Sequence, residues 1–292
     1  MRALAEFIVR GRLQAGAMAV LGYIVPLLTP VTVALVTLRK GANEGTVILL
    51  FGLFPALMSL MLSDGSSVVI WVTLLSLIVV YVPAIVLRIT VSLPATIMAS
   101  LLIAVLITLM IMGFSADYVD RLVESLGNRI VLSQEAASSG NSLANGSAET
   151  ALVSRASIVG MIAYILAFNG LTGVLIGRWL QAIAFNPGGF GSEFRELRIN
   201  LPLSFICFAG SLLLRFQGDE YLWWSHVLAL PLVLVAIAIA HSVAKARNIG
   251  TPWLVLFYMA SIIFMPLVIC IGFVDAWVNF RDRFNHSDGR PD

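Results

Sequence analysis

Charge is what this sequence has least of. Acidic and basic side chains make up 12% of its 292 residues, whereas a soluble domain carries about 25%. A water-soluble fold of this length would lack half of its usual solvated surface. The 18 basic and 16 acidic residues nearly cancel to a net charge of +2, which leaves no basic domain to hold nucleic acid. There are two cysteines and three histidines. Cys207 and Cys270 lie in apolar stretches without a CxxC or a histidine at ligand spacing, so both read as small packing residues. His226 and His241 are too far apart along one helix to share a metal. No Gly-Lys-Ser/Thr follows the glycines at 188–191, so phosphate binding of the P-loop kind has no support. Ser–His–Asp, HExxH and paired intramembrane carboxylates are missing too. No motif points to an enzyme, and no cofactor is implied.

What is present is apolar sequence. Hydrophobic residues reach 59% and the mean hydropathy is +0.96. Several runs approach the ~20 residues a helix needs to cross about 30 Å of hydrocarbon. Between Glu44 and Asp117 the only acidic or basic side chains are Asp64 and Arg88. Unbroken apolar runs exclude a β-barrel, whose strands alternate. The expected fold is all-α: a polytopic helical bundle in the lipid bilayer, with about eight apolar helices.

Residues 1–12 set Leu4, Phe7, Ile8 and Val9 against Arg2, Glu6, Arg10 and Arg12, the pattern of an interfacial amphipathic helix retained at the N-terminus. Membrane helices 1–4 follow within 13–114. The first, 13–36, holds Pro26 and Pro30 and is kinked or broken. The others cover about 46–62, 68–87 and 93–112. Residues 115–155 divide into an amphipathic helix over 117–132 and a Ser/Ala/Asn/Gly-rich flexible linker over 133–154. Helices 5–8 occupy 156–276, at about 158–184, 201–214, 221–243 and 252–273. Residues 277–292 form a polar tail.

Simple alternation of eight spans puts eight basic residues in the odd loops and ten in the termini and even loops, so the positive-inside rule selects neither orientation. The conflict shrinks if the first and last stretches (the last with Pro252 and Pro266) are each re-entrant. Both termini and all odd loops then share one face and hold fourteen of the eighteen basic residues.

Polar groups at membrane depth are costly, which makes each a candidate site. Asn169, in Phe168-Asn169-Gly170-Leu171-Thr172-Gly173, either presents its amide to a ligand or hydrogen-bonds a neighbouring helix across a small-residue contact. Arg178 and Gln181, three apart on one face, either pair with a carboxylate ligand or sit at the interface. Asp275 and Asn279 either bind a cation or a partner such as Arg178, or form a buried structural pair. The loop at 186–198 reads as a turn followed by charges. Its Phe190, Phe194 and Arg195 are candidates for docking a membrane protein partner. Ala15 and Ala19, four apart, would let a second helix approach closely.

The opening Met1-Arg2-Ala3-Leu4-Ala5-Glu6-Phe7-Ile8, the loop Asn186-Pro187-Gly188-Gly189-Phe190-Gly191 and the ending Asp275-Ala276-Trp277-Val278-Asn279-Phe280-Arg281 together resemble the YybS-like family, bacterial inner-membrane proteins of unknown function. The likeness extends over nearly the whole chain in layout, with its specific motifs in those three segments. It implies a distant similarity to the substrate-binding components of energy-coupling factor vitamin transporters, hence a helical bundle with a small-molecule pocket. The Ala15/Ala19 pair would then be similar to the motif by which such components dock on their coupling partner. Two functional expectations follow: a small-solute-binding or transport component with a separate energising partner, or a non-transporting structural subunit of a membrane complex.

Overall fold

A computed structural model of the chain describes residues 1–25, 27–62, 68–114 and 154–280, together with 119–121, 123–125 and 128. The helix expected over 117–132 and the linker over 133–154 lie outside the described residues apart from those short pieces and Ser154. Every regular element described is helical: α1 (Arg2–Arg10), α2 (Arg12–Leu21), α3 (Leu28–Lys40), α4 (Ala42–Leu62), α5 (Val68–Thr90), α6 (Leu93–Phe114), α7 (Arg155–Phe185), α8 (Gly189–Arg195), α9 (Leu201–Gln217), α10 (Leu222–Ala246), α11 (Thr251–Ile263) and α12 (Met265–Val278), with a short 3₁₀ turn at Asp219–Tyr221.

Among the described residues, five helices are long and apolar enough to cross a membrane: Ala42–Leu62, Ile70–Thr90, Leu93–Gly113, Arg155–Phe185 and Asp219–Ala246. The pair α11–α12, bent by 109° at Phe264, would make a sixth. The expected eight is therefore not reached, because three apolar stretches do not form straight spans. The first breaks into pieces of 10 and 13 residues, α9 has 17 residues, and the last bends where Pro266 enters the first turn of α12.

The first stretch is a helical hairpin. Arg12, at the start of α2, donates through Nε to Glu44 Oε2 at 2.9 Å, and Glu44 stands just past the end of α3. The hairpin thus enters and leaves at one end of the bundle. Its tip, residues 22–25 and 27, reaches only partway along α4. Ala19 and Thr29 lie beside Gly52, ten residues into a 21-residue helix, which is about 15 Å at 1.5 Å per residue. Thr29 Oγ1 donates to the Ala19 carbonyl at 2.7 Å and ties the two limbs together. The turn closes through Leu27 at φ 68°, a left-handed conformation uncommon for a residue with a Cβ. A Cβ at Gly22 would collide with the Thr29 backbone, so glycine is what lets the limbs meet.

α3 is the buried centre of the bundle. Ten consecutive residues, Thr29 through Leu38, are buried, and its most extensive partner is α7. The two approach through small residues. A Cβ on Gly173 would stand 2.9 Å from Pro30, and one on Gly177 would stand 2.7 Å from Ala34 Cβ. α1 forms the helix expected within residues 1–12. It packs on α2, α3 and α7 with Ala5 and Ile8 fully buried.

The contacts sort the connections between two ends. Arg88 on α5 donates to the Leu38 carbonyl at 2.6 Å, Gln181 on α7 reaches the same carbonyl, and Arg198 lies 3.9 Å from Asp275 on α12. At the opposite end Arg155 pairs with Asp120, Arg215 with Asp219, and Trp224 donates to the Ala156 carbonyl. Arg12, Arg39, Arg88, Arg178 and Arg198 are tied to the first end, with Lys40 beside Arg39 at the end of α3, and Arg155 and Arg215 to the second. These contacts place the end of α3, the end of α5 and residues 178–198 at one end of the bundle, and Arg155, Arg215 and Trp224 at the other. Single cysteines at Arg39 and Arg198 should therefore react with a membrane-impermeant maleimide from the same side of sealed vesicles, and one at Glu220 only from the other. Labelling of all three from one side would refute this arrangement.

Candidate functional site

A cavity of about 460 Å³ opens between the hairpin tip and the end of the bundle opposite the basic one. The hairpin supplies Tyr23, Leu27 and Thr29, α5 supplies Thr73 and Ser76, and α7 supplies Met161, Ile165 and Asn169. The wall is mostly apolar, with a few hydroxyls and one amide, the usual make-up of a small-molecule site. No acidic or basic side chain lines it among the described residues. Its depth follows from helix geometry. Asn169 is fourteen residues into α7, about 21 Å from that helix's start at 1.5 Å per residue. Below it, Gly170, Gly173 and Gly177 bring α7 close against α5 and α3.

Asn169 is the predicted residue that belongs to this cavity. Its Nδ2 donates to the Ile165 carbonyl one turn earlier at 3.0 Å, and that is the hydrogen bond it makes among the described residues. It is not tied to a neighbouring helix, so the amide stays on the cavity wall. Tyr23, Thr29, Thr73 and Ser76 were not singled out from the sequence. The signal was there: Thr73 and Ser76 stand three apart in an apolar run, hence on one face.

Arg178 and Gln181 do come together, but about two turns away at the basic end. Arg178 Nε donates to Glu193 Oε2 at 2.9 Å, a second guanidinium nitrogen pairs with Glu193 Oε1, and the third donates to Gln181 Oε1 at 2.7 Å. The carboxylate expected of a ligand comes from the protein's own α8. Gln181 and Arg88 donate to the carbonyls of Thr37 and Leu38 at the C-terminal end of α3, a place suited to positive groups. These residues border a second cavity of about 290 Å³. The cluster ties α3, α5, α7 and α8 together at the basic end.

Asp275 is 1% exposed. Its Oδ1 accepts from the Phe280 backbone N–H at 3.1 Å, and Arg198 lies 3.9 Å from its carboxylate. Asn279 leaves the helix in a left-handed conformation at φ 48°, so the two side chains do not share a continuing helical face. Ala15 and Ala19, 2% and 0% exposed, pack inside the chain beside α3 and α4. Phe190 and Phe194 stack with centroids 5.7 Å apart, and Phe194 meets the His241 ring edge-on. Both are half-buried, as is Arg195. No group of three metal-ligating side chains converges among the described residues.

Comparison with protein-family models, curated proteins and solved structures finds no match to this chain.

Proposed function

We propose that this chain is a multi-pass protein of the bacterial inner membrane, of the YybS-like kind, that binds a small solute for transport and is energised by a separate membrane partner. The observation that carries the reading is the cavity at the hairpin tip. It lies between the hairpin tip and one end, and close glycine packing and the Arg178–Glu193 cluster stand between it and the other end. A site reached from one side and shut from the other is what capture of a solute requires. The basic end faces the cytoplasm in this reading, by the positive-inside rule, so the cavity opens outward.

The test is native mass spectrometry of the full chain, gently extracted from its own membrane. A discrete small-molecule adduct is expected on the natural chain. Asn169→Leu should retain less than about a tenth of it, the effect of one ligand hydrogen bond together with an occluding side chain, while its helical circular dichroism stays intact. A bare chain held stoichiometrically by another protein would replace this reading with a structural subunit. Substitutions at Phe190, Phe194 and Arg195 would then be the ones that release the partner.

A further inference from the structure

The hydrogen bonds on the cavity wall run in one direction. Thr29 Oγ1 donates to the Ala19 carbonyl at 2.7 Å, and Ser76 Oγ donates to the Thr73 carbonyl at 2.7 Å. Asn169 Nδ2 donates to the Ile165 carbonyl at 3.0 Å. A carbonyl can only accept, so chemistry alone fixes these three directions. The Tyr23 hydroxyl donates to Ser59 Oγ at 2.8 Å. A hydroxyl that has committed its proton keeps its lone pairs. The wall therefore offers acceptors: Oη of Tyr23, Oγ1 of Thr29, Oγ of Ser76 and Oδ1 of Asn169. Among the side chains whose hydrogen bonds are given above, the one spare N–H is the second amide hydrogen of Asn169.

Charge narrows the class further. A cation would have no carboxylate to meet among the cavity-lining residues, and it would face the N-terminal end of α3, where the helix dipole is positive. An anion would have no basic side chain and would face four oxygen lone pairs. An apolar molecule would fill the volume but leave those acceptors without partners in a desolvated place.

We infer that the cavity selects an uncharged solute whose polar groups are mainly N–H or O–H donors, such as a primary amide, a urea-like group or a hydroxylated ring, carried on a compact apolar body that rests against Leu27, Val72 and Leu77. This rests on the solute-binding reading above and adds the chemical class to it.

Four probes with one ring separate the possibilities: benzamide, N,N-dimethylbenzamide, benzoate and benzylammonium. Each is presented to the full chain in lipid nanodiscs and followed by saturation-transfer NMR. Benzamide is expected to bind, with N,N-dimethylbenzamide about tenfold weaker, the equivalent of losing one hydrogen bond, and with both ions weaker still. Ser76→Ala, which removes an acceptor while sparing the helix, should narrow the gap between the two amides. Equal binding of the two amides, or preference for either ion, overturns the donor class while leaving solute binding in place. If none of the four binds, both readings fall.

Discussion

Replacing Gly177 with leucine should detach the N-terminal hairpin from the bundle. The position has no room for a side chain, since even a Cβ would stand 2.7 Å from Ala34 Cβ and 3.2 Å from the Leu35 backbone nitrogen. Backbone cannot rotate away as a side-chain end can, so α3 and α7 must separate along their most extensive contact. Overpacking of this kind costs about 1–3 kcal/mol and sometimes more, and a fully buried leucine facing backbone belongs at the upper end. The thermal midpoint of the detergent-extracted chain, followed by fluorescence-detected size exclusion, should fall by about 6–12 °C. Gly188→Ala is the control. It lies in a left-handed turn with open space around it, so its smaller cost comes from conformation alone. An unchanged midpoint in Gly177→Leu would mean that α3 does not seat against α7.

The second large effect is expected at Glu193. Its carboxylate holds two nitrogens of Arg178, whose side chain is 16% exposed. Glu193→Leu strands that guanidinium. Removing one partner of a buried pair costs about 3–5 kcal/mol, and partial exposure at the end of the bundle brings this to about 2–3 kcal/mol. Arg178→Met alone should cost less, since Glu193 is 29% exposed and can turn to water. The double variant Arg178→Met/Glu193→Leu should recover more than half of the loss, because an apolar pair leaves no charge behind. Thermal midpoints of the four chains give this directly. Additive losses in the double variant would show that the two side chains do not act as a pair.

The membrane class and most helix positions could be read from apolar run lengths, because hydrocarbon thickness sets a length that sequence displays openly. The number of spans could not. Residues 13–36 are long enough to cross, and Pro26 and Pro30 announce a break, but a kinked span and a hairpin have the same composition. What separates them is the Arg12–Glu44 contact, between residues 32 apart. The site residues divide in the same way. Asn169 was visible as an amide at depth, whereas Tyr23 and Thr29 become cavity lining only because the hairpin stops short. Arg178 and Gln181 were correctly placed on one face, yet Glu193, fifteen residues later, could be identified as the partner only once the turn at 186–189 had folded α8 back. Asp275 and Arg198 are 77 residues apart, a separation no local pattern reports.

The buried position of α3 also imposes an order on biogenesis. Its principal partner, α7, begins 115 residues beyond the end of α3, so it leaves the ribosome long after α3 does. Until then the hairpin has a non-helical turn and several threonines, with the face that α7 will cover still open. Lipid cannot satisfy the peptide groups of such a turn, so the newly made segment must wait near the membrane surface or within the insertion machinery. Completion of the N-terminal third is therefore a late event in this chain, and a ribosome stalled before residue 155 should hold a hairpin that is still accessible to aqueous reagents.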